Sequence, residues 1–378
     1  MATPLAGIKV LELARVLAGP WAGQTLADLG ANVIKVESPM GDETRGWGEP
    51  VDDDSAAAYF HSCNRGKRAI ALDFRDPDDL ALVQQLAREA DIIIENFKVG
   101  GLAKFGLDYN NLRTQNPALI YCSITGFGQT GPYAHRAGYD FIIQAMSGIM
   151  DITGTPDGPP IKPGVAYADI FSGVYSVIAI QAALLARNKT GKGQHIDMAL
   201  LDCQIGVLAN QASTYLISGD QPKRMGNAHP SIVPYQVFDA SDAPFVIACG
   251  NDGQFRQLCE AFGVRYHKDH RFLTNKDRLK HRVELITLLS GLLAKIPRDT
   301  ILDKLESANV PAGPINTIAE AFNDPQTRHR GMKIQQGAHS GLRNPIRFSD
   351  LDLTMDMAPP SLNADDIEIR KNLWNTDD

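Results

Sequence analysis

Cysteine is scarce in this 378-residue chain: five residues, at 63, 122, 203, 249 and 259, with no CxxC pair. An odd, scattered set argues against a disulfide framework and a thiolate zinc site, and fits reduced thiols in the cytosol. The nine histidines show no ligand spacing, so no metal is expected. Familiar catalytic signatures are missing too. The first strand–turn–helix reads Ala14-Arg15-Val16-Leu17-Ala18-Gly19-Pro20 rather than GxGxxG, which removes the usual dinucleotide fingerprint. Gly191-Lys192 is followed by Gly193, not Ser or Thr, which excludes a Walker A loop, and neither GxSxG nor HExxH occurs. Long uncharged apolar runs are absent; the nearest, Phe171 to Ala186, is interrupted by Ser172, Ser176 and Gln181. The N-terminus has no basic n-region and carries Lys9, Glu12 and Arg15 where a signal peptide would be apolar. A net charge of -7 leaves no footprint for nucleic acid or an anionic membrane. Any anionic ligand must be met by local basic residues.

What is present is alternation. Ile8–Leu13, Asn32–Val36, Ala69–Leu72, Asp91–Ile94 and Ala118–Ser123 read as strands, separated by helical segments from Pro20 to Leu29 and near 76–89 and 108–115. That rhythm indicates an α/β fold, a doubly wound parallel sheet covered on both faces. A helix from Asp169 to Arg187, a strand His195–Met198 and a helix over 200–217 follow. The texture then changes: residues 218–235 are rich in Gly, Pro, Asn and Ser and read as a linker. Strands Gln236–Asp239 and Phe245–Ala248, with helices near 252–262, 276–295 and 298–308, suggest a smaller α+β domain over 236–324. Residues 1–217 and 325–378 then form the large domain.

Basic residues recur beside predicted strand ends: Arg65, Lys67 and Arg68, then Arg75, Lys98, Lys104 and Arg136. One alone is ordinary surface charge, but ends of a parallel sheet converge on one crevice, and Arg and Lys neutralise phosphate directly. The glycine-rich stretch Gly126 to Pro132 permits close approach of a ligand, or is a flexible loop; the residues leave both open. Asp169 starts an almost uncharged helix. An Asp there is most often an N-cap. Alternatively, the helix dipole keeps it ionised and it faces a dry pocket as a nucleophile.

The chain resembles the class III coenzyme A transferases, the CaiB–BaiF type. The matching stretches are residues 5–37, GDETR (41–45), NRGKRAIALD (64–73), ADIIIENF (90–97), SITGFGQTGPYAHRAGYD (123–140), DGPP (157–160) and 168–202. GNAHPSIVPYQVF (226–238) and GNDGQF (250–255) match less distinctively. The resemblance implies a Rossmann-like large domain and a small one, in an interlocked homodimer; the scattered thiols make the cytoplasm the default location. It implies CoA contacts at Val16, Leu17, Ala18, Leu72, Asp73, Phe74, Arg75, Asn96, Phe97, Lys98, Lys104, Arg136, Ala137, Gly138 and Tyr139. Asp169 matches the catalytic aspartate. The implied reaction moves CoA from an acyl-CoA, such as succinyl-CoA or another dicarboxylyl-CoA, to a carboxylic acid, with no tightly bound cofactor, nucleic acid or membrane. Arg224, His229, Gly250 and Asn251 are candidates for substrate contact. α-Methylacyl-CoA racemases of the same family carry His where this chain has Tyr139, which argues against racemisation. The Gly250–Gly253 segment is shorter than the glycine run of formyl-CoA transferases, and Ser38 stands where some relatives have Arg. A racemase-like isomerase and a CoA-binding protein without turnover are the alternatives.

Overall fold

The computed structural model describes residues 3–50 and 56–375; the first two residues, 51–55 and the last three lie outside it. The chain divides into two compact units, one of residues 1–150, 162–221 and 326–378, the other of 151–161 and 222–325.

The first unit is built on six parallel strands: β1 (Lys9–Glu12), β2 (Asn32–Glu37), β3 (Lys67–Ala71), β4 (Ile92–Glu95), β5 (Ile120–Thr125) and β6 (His195–Ala199). Their order is β3-β2-β1-β4-β5-β6. Its helices include α1 (Ala18–Asp28), α2 (Ala58–His61), α3 (Pro77–Glu89), α4 (Tyr109–Gln115), α5 (Asp140–Met146), α6 (Ile149–Ile152), α7 (Tyr167–Thr190), α8 (Leu200–Gly206) and α9 (Ala209–Ser218), α6 straddling the boundary with the second unit. Successive side chains of β1 leave on opposite faces. Val10 joins α1 and α7 through Leu26, Val177 and Ile180; Leu11 joins α3 and α4 through Val83, Leu86 and Leu112. Both faces are therefore covered, and β4 is apolar on both (Ile92, Ile93, Ile94). The winding reverses between β1 and β4, so the crevice at their carboxyl ends is where a ligand fits.

Helix α7 is longer than the sequence suggests and is long and apolar enough to cross a membrane by length and composition. In this fold it packs on α1 through Gly173, whose added Cβ would lie 2.8 Å from the Ala18 carbonyl oxygen. The expected helix over 200–217 is broken between α8 and α9, where Ala209 has φ +47°.

The second unit has an antiparallel sheet, β7 (Tyr235–Asp239), β8 (Pro244–Ala248) and β9 (Ala312–Pro314). Helices α10 (Asp252–Ala261), α11 (Asn275–Lys280), α12 (Arg282–Leu293) and α13 (Arg298–Ser307) accompany it. The continuous helix expected over 276–295 is interrupted at His281, which leaves helical geometry at φ −107°, ψ 27°. Phe238, Phe245, Phe255 and Leu289 form its core, and fully buried Arg278 donates to the Val233 carbonyl oxygen and to Asp252.

Candidate active site

The turn from β1 into α1 is held by side chains from four other segments. Asn96, just after β4, accepts from the Arg15 N–H (3.0 Å) and donates to the Arg15 carbonyl (2.7 Å). Asp42 accepts from the Val16 N–H (3.2 Å), Lys35 donates to the Ala14 carbonyl (2.9 Å), and the Cys63 thiol reaches the Val16 carbonyl (3.6 Å). Val16 has φ +70°. A β-branched residue avoids this left-handed region, at a cost on the order of 1–3 kcal/mol. The turn delivers Leu17 and Ala18 to the N-terminus of α1, which no side chain caps. Such an end suits an anion.

Beneath the turn lies a cluster of charges with no solvent access. Lys35 pairs with Glu12 and Asp42 (3.1 Å each), and Lys67 pairs with Glu12 (2.8 Å) while donating to Asn64 and to the Pro20 and Cys63 carbonyls. Helix α1 crosses this carboxylate at Gly23, where a Cβ would come within 1.8 Å of Glu12 Oε2. Here the sequence reading is corrected. Arg65, Lys67 and Arg68 precede or open β3, at its amino end, and are not a phosphate rim. Arg65 forks onto buried Asp28, Lys67 is fully buried, and Arg68 bonds Glu368 and Asn32.

Asp169 is not the cap of its own helix. The N-cap position of α7 is Ala166, without a side-chain bond. Asp140, the first residue of α5, supplies the cap from outside: its Oδ1 accepts from the Ala168 N–H (2.9 Å) and the Asp169 N–H (3.4 Å), while Gln144 Nε2 donates to its Oδ2 (2.7 Å). The Asp169 carboxyl is left without a hydrogen-bond donor among the described residues. Burial, and secondarily the Asp140 charge, push its pKa up to about 7. The helix dipole was expected to keep it ionised; desolvation and a like charge outweigh that contribution. Burial, and then the Asp169 charge, raise Tyr59 to about 12, which marks Tyr59 as a neighbour that sequence reasoning missed.

The glycine-rich stretch serves chain packing. A Cβ on Gly126 would lie 2.5 Å from Gly138 Cα, and one on Gly138 would lie 2.6 Å from Gly126 Cα. Only a glycine pair lets the exit of β5 touch the segment Arg136–Tyr139. Arg136 stacks over Tyr133 and Phe127, 4.5 and 5.3 Å from their ring centroids.

These parts meet in one cleft. Its walls include Val16, Leu17, Ala18, Asn96, Phe97, Lys98, Arg136, Ala137, Gly138, Tyr139 and Asp169, with Arg15, Glu43 and His135 added by the structure. A second cleft shares Arg15, Phe97 and Lys98 and adds Lys104 and Ser38. Leu72, Asp73, Phe74 and Arg75 line neither. Leu72 is core, Arg75 forks onto its neighbour Asp73 at 2.7 Å, and Phe74 meets Phe105 edge-on at 5.4 Å, beside Lys104.

The model of CoA-transferase family III matches residues 5–366. The chain belongs to this family. It is 54% identical to the succinate–glutarate CoA-transferase of Agrobacterium fabrum, over 98% of this chain and 96% of that protein. It is 42% identical to the succinyl-CoA:glutarate CoA-transferase of Mus musculus, over 99% and 87%. A crystal structure of a CAIB/BAIF family protein from Brucella suis superposes with TM-score 0.91 at 61% identity, covering 99% of this chain and all of that one. In this family III chain the remaining candidates lie in the second unit, each with a local partner. Arg224 donates to the Asp151 backbone and side chain, and His229 Nδ1 accepts from the Ser231 N–H. The Gly250 N–H donates to Gln254, and Asn251 caps α10.

Proposed function

We propose that this CoA-transferase moves coenzyme A from succinyl-CoA or a related dicarboxylyl-CoA to a second carboxylic acid through Asp169. The observation that carries the reading is the position of Asp169. Its unanchored carboxyl shares a cleft with an uncapped helix N-terminus and with Lys98 and Arg136. The dicarboxylate donor is supported by the names of the two relatives above. CoA phosphates would meet Lys98, Lys104 and Arg136, and the first turn of α1.

In the first step an Asp169 oxygen attacks the donor thioester carbonyl; the C–S bond breaks, giving a mixed anhydride and CoA thiolate. The thiolate then attacks the aspartyl carbonyl. Its C–O bond breaks, the donor acid leaves, and an aspartyl-CoA thioester remains. The acceptor carboxylate attacks that thioester and releases the thiolate, which takes the acceptor acyl group and frees Asp169. One thioester replaces another, so no ATP is required. A more basic carboxylate is the better nucleophile once ionised, and a pKa of about 7 keeps Asp169 basic while leaving a large share of it ionised at neutral pH.

Exposed apolar side chains on α7 and α9, with Leu216 and Ile217 79% and 86% exposed, favour a second copy of the chain as partner in a homodimer. Five free, buried cysteines fit a reducing compartment such as the cytosol.

The test is intact mass of the Asp169 peptide during turnover of a panel of acyl-CoAs, alongside Asp169→Ala. A hydroxylamine-sensitive adduct on wild type and a loss of roughly a thousandfold or more in the variant are expected. Full activity of Asp169→Ala sinks the mechanism. Deuterium wash-in at the α-carbon without CoA exchange between acids would instead identify a racemase.

A further inference from the structure

The β1–α1 turn adopts a conformation that its own sequence disfavours. Val16, not glycine, occupies φ +70°. Relaxing it to negative φ would turn the Arg15–Val16 peptide, with its N–H, relative to Leu17 and the first turn of α1, and so change the wall of the Asp169 cleft. Something must hold Val16 in place. Its N–H points to Asp42, and Asp42 cannot follow a relaxing turn, because its carboxylate is fixed by three other donors. Lys35 lies 3.1 Å from Oδ2, while the Thr44 N–H and hydroxyl donate to Oδ1 at 3.0 and 2.8 Å. The Asp42 N–H in turn donates to Glu37 (2.7 Å), whose carboxylate is forked by Arg45. The Asp42 side chain is 1% exposed. This is a rigid anchor, continuous through Lys35 and Glu12 with the charge cluster under α1.

We propose that Asp42 is a positioning residue for CoA transfer, holding Val16 in the left-handed conformation and so shaping the Val16–Ala18 wall to receive the acyl-CoA. The inference rests on the reading that this cleft takes acyl-CoA. The aspartyl mechanism is not needed for it, since binding of CoA alone reports the shape of the wall.

A double-mutant cycle tests it. Calorimetric affinity for CoA, together with kcat and KM for acyl-CoA, is measured in wild type, Asp42→Asn, Val16→Gly and the double variant. With Val16 present, Asp42→Asn should weaken CoA binding and raise KM about tenfold, the worth of one hydrogen bond to a charged group, with a smaller change in kcat. In the V16G background the same substitution should cost less than about threefold, because glycine takes positive φ without help. Equal penalties in the two backgrounds would mean that Asp42 acts only as the partner of Lys35, and the proposal fails. If D42N does not fold, V16G decides: relief of strain should raise its thermal midpoint by about 2 °C, and a lowered midpoint overturns the proposal. Lys98→Glu, at an exposed position on the same cleft, separates the two readings. Unchanged CoA affinity in K98E rejects the cleft as the CoA site, and this inference with it. A weakened K98E beside an additive cycle rejects only the role of Asp42.

Discussion

Two groups of charge in the first unit, one fully buried under the β1–α1 turn and one half-buried at the start of α7, are built in opposite ways. Under the β1–α1 turn, Glu12 and Asp42 are matched by Lys35 and Lys67 at 2.8–3.1 Å, and the side chains are at most 1% exposed. At the start of α7, Asp140 and Asp169 lie together, and neither is paired with a cation among the described residues; the donors to Asp140 are two backbone amides and Gln144. The matched group is a scaffold, in which each charge is fixed by its opposite. The unmatched pair keeps one carboxyl near its titration point, where a small change of environment switches its charge.

The difference can be broken from either side. Lys67→Met should produce the largest change, about 3–5 kcal/mol of lost stability in urea unfolding, because it strips a buried carboxylate of a partner. A loss below 1 kcal/mol would show that the cluster is not a scaffold. Asp169→Asn should act in the other direction. The folded pKa of about 7 lies above the ordinary 3.8, so between these values the native state binds the extra proton. Stability therefore falls as pH rises through that window. The variant should be more stable than wild type at pH 8, on the order of 2 kcal/mol, with the gain fading toward pH 4. Destabilisation at pH 8 would contradict the contrast. Asp140→Asn should have the smallest effect. It keeps an acceptor for the Ala168 N–H, and a flipped Gln144 amide, whose Oε1 is buried without a partner, can accept from the new Nδ2. The acid limb of kcat/KM, expected near pH 7, should move toward the usual carboxylate range. An unmoved limb would leave burial as the sole cause.

Much of the cleft was legible in the chain, for a topological reason. Strands of a parallel sheet end on the same side, so Lys98 and Arg136 were expected together; the family resemblance added Val16–Ala18 and the residues beside those two, and Val16–Ala18, Asn96–Lys98 and Arg136–Tyr139 do share a wall. The misreadings have an equally definite cause. Arg65, Lys67 and Arg68 look like phosphate ligands until their partners are known, and those partners stand 37 and 55 positions away for Asp28 and Glu12. Asp169 looks like an N-cap until Asp140, 28 positions before Ala168, is seen to occupy the helix end.

Local chemistry and periodicity along the chain were enough to determine the α/β alternation, the strands and the basic segments at their ends, because those depend on neighbours a few residues apart. Family membership was visible as well, in motifs that are contiguous. Only the tertiary structure decided which charges are matched, which carboxyl is left unanchored, and that Val16 is held at positive φ. Each of those depends on the burial and distance of groups far apart in sequence, and electrostatic energy in a dry interior is fixed by exactly such distances.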